Sequence, residues 1–145
     1  MNEKTNKTIE RIRKGIDKSG EPSPSPFMNW LKPVAKSAEY GSLTFEYFIR
    51  REMTNPVGII HGGVIAGIID DLIGATVYSL EKQGNYVTVN LSVDYFAMAH
   101  EGDVVQAISK VVKAGRKVIH IECEVWLPSK ERLLAKGRSN LLRAD

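Results

Sequence analysis

Asn55, His61, Gly62, Gly63, Asp70 and Asp71 fall within one short stretch, residues 55–71, and their types and spacing could do chemistry. A polar loop ends in His61-Gly62-Gly63, and an almost wholly apolar run follows to about Leu80. Glycines at a helix start leave backbone N–H groups free to hold an oxygen atom gaining negative charge. A carboxylate two turns further along a buried helix is costly and usually has a reason. A buried Asp can deprotonate a water or attack a carbonyl directly. Together these features suit a site where a carbonyl is polarised and attacked. Asp70 and Asp71 are neighbours and project about 100° apart on a helix, so the residues alone leave open which of them reacts. His-Gly-Gly by itself serves chain reversal equally well, and an isolated Asp pair serves equally to bind a cation.

These side chains need a scaffold, and the periodicity supplies one. Residues 3–18 read as a short charged helix with Ile9, Ile12 and Ile16 on one side, which would dock on the body or on a partner, or else fray in solvent. Three prolines within residues 21–26 stop any helix. Residues 27–31 form an apolar plug over an edge of the core. Strands are expected at 34–38 and 42–50, the second placing Leu43, Phe45, Tyr47 and Ile49 on one face. A central helix over 62–80 follows, with Gly67 and Gly74 on one side, permitting close backbone approach. Four strands come next, at 86–96, 103–113, 116–127 and 132–143, joined by short links that imply hairpins. In the first of these, Val87, Val89, Leu91, Val93 and Tyr95 alternate with Thr88, Asn90, Ser92 and Asp94. Strands, one long helix and a strand meander make an α+β fold, with that helix laid on a single antiparallel sheet. Two segments are expected: 1–26 as a helical extension with a Pro/Ser linker, and 27–145 as the main domain.

Composition narrows the function classes. At 145 residues with 43% apolar content, the chain has room for one real core. Residues 1–18 hold six Lys/Arg against three acids, leaving 14 basic and 14 acidic residues in a main body that is neutral overall. That argues against a nucleic-acid surface. The single cysteine excludes an internal disulfide and fits a reducing compartment, with Cys123 expected as a small core residue. The charged N-terminus lacks the apolar core of a signal peptide, and paired aspartates argue against a membrane span over 62–80, so the expected location is cytoplasmic. The histidines, His61, His100 and His120, form no cluster with metal-ligand spacing, and no metal is expected.

Asn55, His61, Gly62, Gly63 and Asp70, with Gly58 between, resemble the hotdog-fold acyl-CoA thioesterases, specifically the phenylacetate-degradation (PaaI-type) branch. In that pattern an Asn lies six residues before the His and an acid nine after it, and the similarity covers roughly residues 30–143. The resemblance implies a hotdog, a long helix wrapped by an antiparallel sheet. It implies Asp70 as general base or nucleophile, Gly62 N–H as the group polarising the thioester carbonyl, and Asn55 positioning water or thioester. His61 would flank the carbonyl, Thr88 match a small hydroxyl of the branch, and Asp71 support. It further implies homodimers or homotetramers whose sites lie between subunits, Asp70 and Thr88 of one facing Asn55 and Gly62 of the other. CoA enters as part of the substrate and no cofactor is required. Gly63 would help bind substrate, and Lys113, Arg116 and Lys117, with Lys136 and Arg138 behind them, are candidates to meet the CoA phosphates. The competing readings are a non-catalytic acyl-CoA-binding module, a dehydratase of the same fold, and a purely structural oligomer.

Overall fold

The computed structural model describes residues 5–144. Six antiparallel strands form one sheet: β1 (Val34–Glu39), β2 (Ser42–Phe48), β3 (Tyr86–Tyr95), β4 (Val104–Ala114), β5 (Val118–Leu127) and β6 (Arg132–Arg143), in the order β1-β2-β4-β5-β6-β3. Helix α3 (Gly62–Tyr78) lies across one face of it, the α+β hotdog arrangement that the sequence implied. It presents Ile65, Ile68, Ile69, Leu72, Ile73, Thr76 and Val77 to the sheet, all buried. Spacings of three and four keep these on one side of a helix. Burial of each large side chain is worth about 1.5–3 kcal/mol, which holds the helix to the sheet. One polar latch interrupts it: the Thr76 and Ser109 hydroxyls lie 2.6 Å apart, and Ser109 Oγ accepts from the Leu43 N–H at 2.9 Å. Every buried hydroxyl there has a partner, which is what makes the latch affordable.

Strand β2 follows its pattern, burying Leu43, Phe45, Tyr47 and, just beyond the strand, Ile49. Strands β4, β5 and β6 form the expected meander. The link after β3 is not a hairpin, however. Strand β3 pairs with β6 at the far edge, so residues 96–103 carry the chain back across the sheet end to β4. That link is held by the loop before α3, through Ile60 N–H to Ala99 O at 2.9 Å and an Ile59–His100 bridge.

A second departure concerns faces. The expected clean alternation of 86–96 is broken by a bulge, because Thr88 pairs with Leu141 while Asn90 pairs with Asn140, leaving Val89 as the extra residue. Leu141 and Ser139 are buried, so their partners Thr88 and Leu91 both face α3. A bulge adds one residue and re-aims the side chains on either side of it. Thr88 thus leaves the polar face expected for it.

The N-terminal helix is shorter than expected. Helix α1 spans Lys7–Lys14, and residues 3 and 4 of the anticipated helix lie outside the described residues. It docks on the chain's own body. Ile9 is fully buried, Asn6 Nδ2 donates to Ser79 O at 2.7 Å, and Thr8 donates through N–H and hydroxyl to Glu81 at 3.0 and 2.8 Å. Arg13 Nε reaches Ala38 O at 2.8 Å. Helix α2 (Pro26–Leu31) is capped by Ser25 and carries the residues expected as an apolar plug. Leu31 alone of its residues is fully buried, while Phe27 and Trp30 stack at 6.0 Å near the surface. The Phe27 ring leans on α3 at Gly67, where an added Cβ would meet Phe27 Cζ at 2.8 Å. Among the described residues, no helix is long and apolar enough to cross a membrane.

Candidate active site

The start of α3 is built by its own cap. His61 sits at the N-cap in an extended conformation, and its Nδ1 accepts the Gly63 N–H at 2.9 Å. The His61 carbonyl takes the Val64 and Ile65 N–H groups. Gly63 N–H is therefore spent inside the chain, contrary to its expected part in substrate binding. Gly62 N–H has no acceptor among the described residues. It lies at the positive end of a 17-residue helix, where a developing oxyanion is favoured. The accepting role of Nδ1 places the His61 proton on Nε2.

The loop that leads in is pinned by Asn55. Its Oδ1 accepts the N–H groups of Val57 and Ile59, each at 3.1 Å, and its own N–H donates to Ile59 O at 2.8 Å. Gly58 takes φ +79 within this turn, a conformation natural to glycine. The side-chain oxygen of Asn55 thus serves the loop, and its Nδ2 is the half left for a ligand.

Two turns along α3, Asp70 Oδ1 accepts the Thr88 hydroxyl at 3.0 Å. That bond exists because of the Val89 bulge, and it leaves Oδ2 for a second partner. Asp71 turns the other way. Its Oδ1 accepts from Ser25 Oγ at 3.3 Å, while its Oδ2 is buried with no hydrogen-bond partner. Burial raises its carboxyl from 3.8 to about 6; the Ser25 hydroxyl opposes that rise and the neighbouring Asp70 charge adds to it. The two aspartates are thereby told apart: Asp70 is held by a hydroxyl at the β3 edge, and Asp71 is strapped to the segment before α2. Near Asp71, the fully buried Tyr47 hydroxyl also lacks a partner, and burial holds it well above the usual phenol range.

Tyr95 is a residue that sequence reasoning passed over. Its hydroxyl donates to Gly62 O at 2.7 Å, and its ring lies 3.6 Å from where a Cβ on residue 62 would stand. The available signal is an aromatic hydroxyl at the end of a predicted strand, among apolar residues of the same alternation. Ser25 was missed likewise, hidden among the prolines.

The cations divide. Lys113, Arg116 and Lys117 are exposed at the β4–β5 turn, beside the start of β3, where Tyr86 Oη donates to Arg116 O at 3.1 Å. Lys136 and Arg138 flank Gly137, whose added Cβ would strike Ile69 of α3 at 2.7 Å. Gly137 faces the helix, so its two neighbours face away, beside Glu124 and Glu122 of β5. They are not on the face that carries Asp70. Cys123 is buried and its thiol pushed up to about 12 by burial, a core residue as expected. His120 Nδ1 pairs with Asn140 Oδ1 on the outer face. Among the described residues, no group of three or more His, Cys, Asp or Glu could hold a metal.

The geometry also sets a limit. Eight residues of helix place Gly62 and Asp70 about 12 Å apart along the α3 axis. A carbonyl within hydrogen-bond reach of one lies outside the reach of the other within a single chain.

Comparison with known proteins gives a family. Human acyl-coenzyme A thioesterase 13 is 26% identical over 102 residues, spanning 70% of this chain and 73% of that protein. The E. coli PaaI protein from the phenylacetic acid degradation operon superposes with TM-score 0.77 at 17% identity, over 84% of this chain and 86% of its own. A Streptococcus mutans UA159 protein solved bound to acetyl CoA superposes with TM-score 0.73 at 21% identity, over 78% of this chain and 89% of its own. At these identities the two structures establish a shared fold. The Thioesterase superfamily profile matches residues 57–133, from the loop before α3 into β6, and the chain belongs to the thioesterase superfamily.

Proposed function

We propose that this chain hydrolyses an acyl-CoA thioester to a free acid and CoA, at a site assembled from two copies of the chain. The observation that carries the reading is the split along α3: an unused Gly62 N–H at the helix start, and Asp70, with one free carboxylate oxygen, about 12 Å away. Two copies related by a twofold axis bring the Gly62 of one to the Asp70 of the other. Edge strand β3 supports such pairing, because its outer side is unpaired and Val87 and Val89 are 49% and 61% exposed.

In this mechanism the thioester carbonyl oxygen accepts the Gly62 N–H, with the α3 dipole behind it. Asp70 Oδ2 takes a proton from a water whose oxygen attacks the carbonyl carbon. The C–O bond forms and the carbonyl electrons move onto the oxygen held by Gly62. Collapse of that intermediate breaks the C–S bond, and the CoA thiolate leaves and takes a proton. Thr88 fixes the Asp70 carboxylate, the amide nitrogen of Asn55 orients water or thioester from the facing copy, and His61 Nε2 borders the carbonyl. Direct attack by Asp70, through an acyl anhydride, uses the same groups. Arg116, Lys117 and Lys113 meet the CoA phosphates at the rim, and no cofactor takes part. The names of the human relative and of the acetyl-CoA-bound neighbour support CoA as the carrier. The lone, buried thiol supports a reducing, cytoplasmic setting. In this reading residues 1–26 are an extension to a domain of 27–145.

Thiol release measured over aryl and aliphatic acyl-CoAs tests this, with Asp70→Asn beside the wild type. The expected result is turnover in the wild type and its collapse in the variant with oligomer mass unchanged. Saturable acyl-CoA binding without thiol release would make the chain a binding module instead.

A further inference from the structure

We infer that Tyr95 is a positioning residue for the reaction, holding the turn that presents the Gly62 N–H, and that the Val89 bulge exists to bring it there together with Thr88. The inference rests on the hydrolase reading above and adds a residue which that reading does not use. Strand β3 makes two hydroxyl bonds to α3, from Thr88 to Asp70 Oδ1 at 3.0 Å and from Tyr95 to Gly62 O at 2.7 Å. Thr88 and Tyr95 are seven residues apart, an odd separation that puts them on opposite faces of a regular strand. Their partners on β6, Leu141 and Ala135, are six apart and both buried. The extra residue on β3 is Val89, which lies out at 61% exposure. It turns an odd spacing into a shared face. Thr88 and Tyr95 then reach opposite ends of the Gly62–Asp70 interval from one strand.

The consequence is mechanical. Gly62 lacks a Cβ, so its φ and ψ are held only through the peptides on either side: the His61 carbonyl accepts Val64 and Ile65 N–H, and the Gly62 carbonyl accepts the Tyr95 hydroxyl. The Tyr95 ring stands where it would touch a Cβ on residue 62 at 3.6 Å, and its phenol donates to the Gly62 carbonyl at 2.7 Å. Half of the Tyr95 surface is exposed, so this bond contributes to geometry more than to global stability. An oxyanion donor is effective only when its direction is set before the charge develops. The His61 carbonyl bonds and the Tyr95 bond hold the two peptides that meet at Gly62 and together set that direction, and because β3 is an edge strand, a partner copy pairing with it would stiffen the Tyr95 side further.

Tyr95→Phe keeps the ring and deletes the donor. Steady-state thiol release is measured for wild type, Tyr95→Phe and Asp70→Asn, with melting temperature and oligomer mass for each. The expected result is a kcat lower by about tenfold, equivalent to about 1.4 kcal/mol of transition-state stabilisation, with KM, mass and melting temperature unchanged. Wild-type kcat in Tyr95→Phe beside an inactive Asp70→Asn overturns the role of Tyr95 alone. A rise in KM, dissociation or a lower melting temperature in proportion to the activity loss makes the residue structural and overturns it as well. Absence of turnover in the wild type overturns the hydrolase reading and this role with it.

Discussion

Replacing Gly62 by proline removes one N–H from α3 and puts the ring Cδ where the amide hydrogen pointed. Residue 62 is the first residue of the helix, where a missing N–H breaks no intrahelical bond and a fixed φ near −65° suits the turn. The preceding residue must be extended, and His61 already is, at φ −63 and ψ 133. The Cβ has room, since the nearest atoms to it belong to Tyr95 at 3.6 Å. The Gly62 carbonyl keeps its bond from Tyr95. Loss of one backbone donor to an oxyanion costs about 10²–10³ in kcat, or about 2.7–4 kcal/mol. Gly62→Ala adds the same Cβ but keeps the N–H, so it should stay within about twofold of wild type, the scale of an uneventful substitution. Initial rates of thiol release at saturating acyl-CoA, with far-ultraviolet circular dichroism to show an intact helix, provide the assay. Wild-type turnover in Gly62→Pro, or an equal loss in Gly62→Ala, would refute the reasoning.

Asp71→Asn tests the division between the two carboxylates. The folded-state pKa of Asp71 is raised to about 6 from 3.8, so the stability linked to its protonation is full below pH 3.8 and lost as pH rises through about 6. The variant should melt higher than wild type at pH 7.5 and close to it at pH 4; a difference that does not change with pH would contradict the assignment. Two glycine substitutions test packing. Gly137→Ala drives a Cβ to 2.7 Å from Ile69 Cγ2, a stiff branched side chain in the core, and should cost about 1–3 kcal/mol. Gly67→Ala meets only the half-exposed Phe27 ring, which can swing, so chemical denaturation should rank it well below Gly137→Ala.

Much of this was legible because local patterns and tertiary packing agreed. The buried face of β2, the bounds of β6 and the start of α3 at Gly62 all follow from alternation, turn residues and helix spacing. The Val89 bulge was not legible. Val87, Val89 and Leu91 keep their regular spacing as residue types, whereas the faces switch because of pairing with β6 some 50 residues away. The placement of β3 at the far edge has the same origin, a long-range pairing with no local mark. Asp70 and Asp71 are distinguished by Thr88 and Ser25, 18 and 46 residues distant. No spacing within the helix could announce those partners. The Gly63 N–H departs from expectation for a nearer reason: His61, two residues before it, takes that hydrogen bond.

Mixing Asp70→Asn with Gly62→Pro subunits tests the shared site most directly. Each variant alone carries a defect in every site. A mixed pair holds one site with both lesions and one site with neither, the latter taking Asp70 from the proline variant and Gly62 from the asparagine variant. Random exchange at equal amounts makes half the pairs mixed, so thiol release should return to about a quarter of the wild-type rate in a symmetric twofold assembly. A mixture that forms mixed pairs by mass and stays inactive would contradict a site built from two copies.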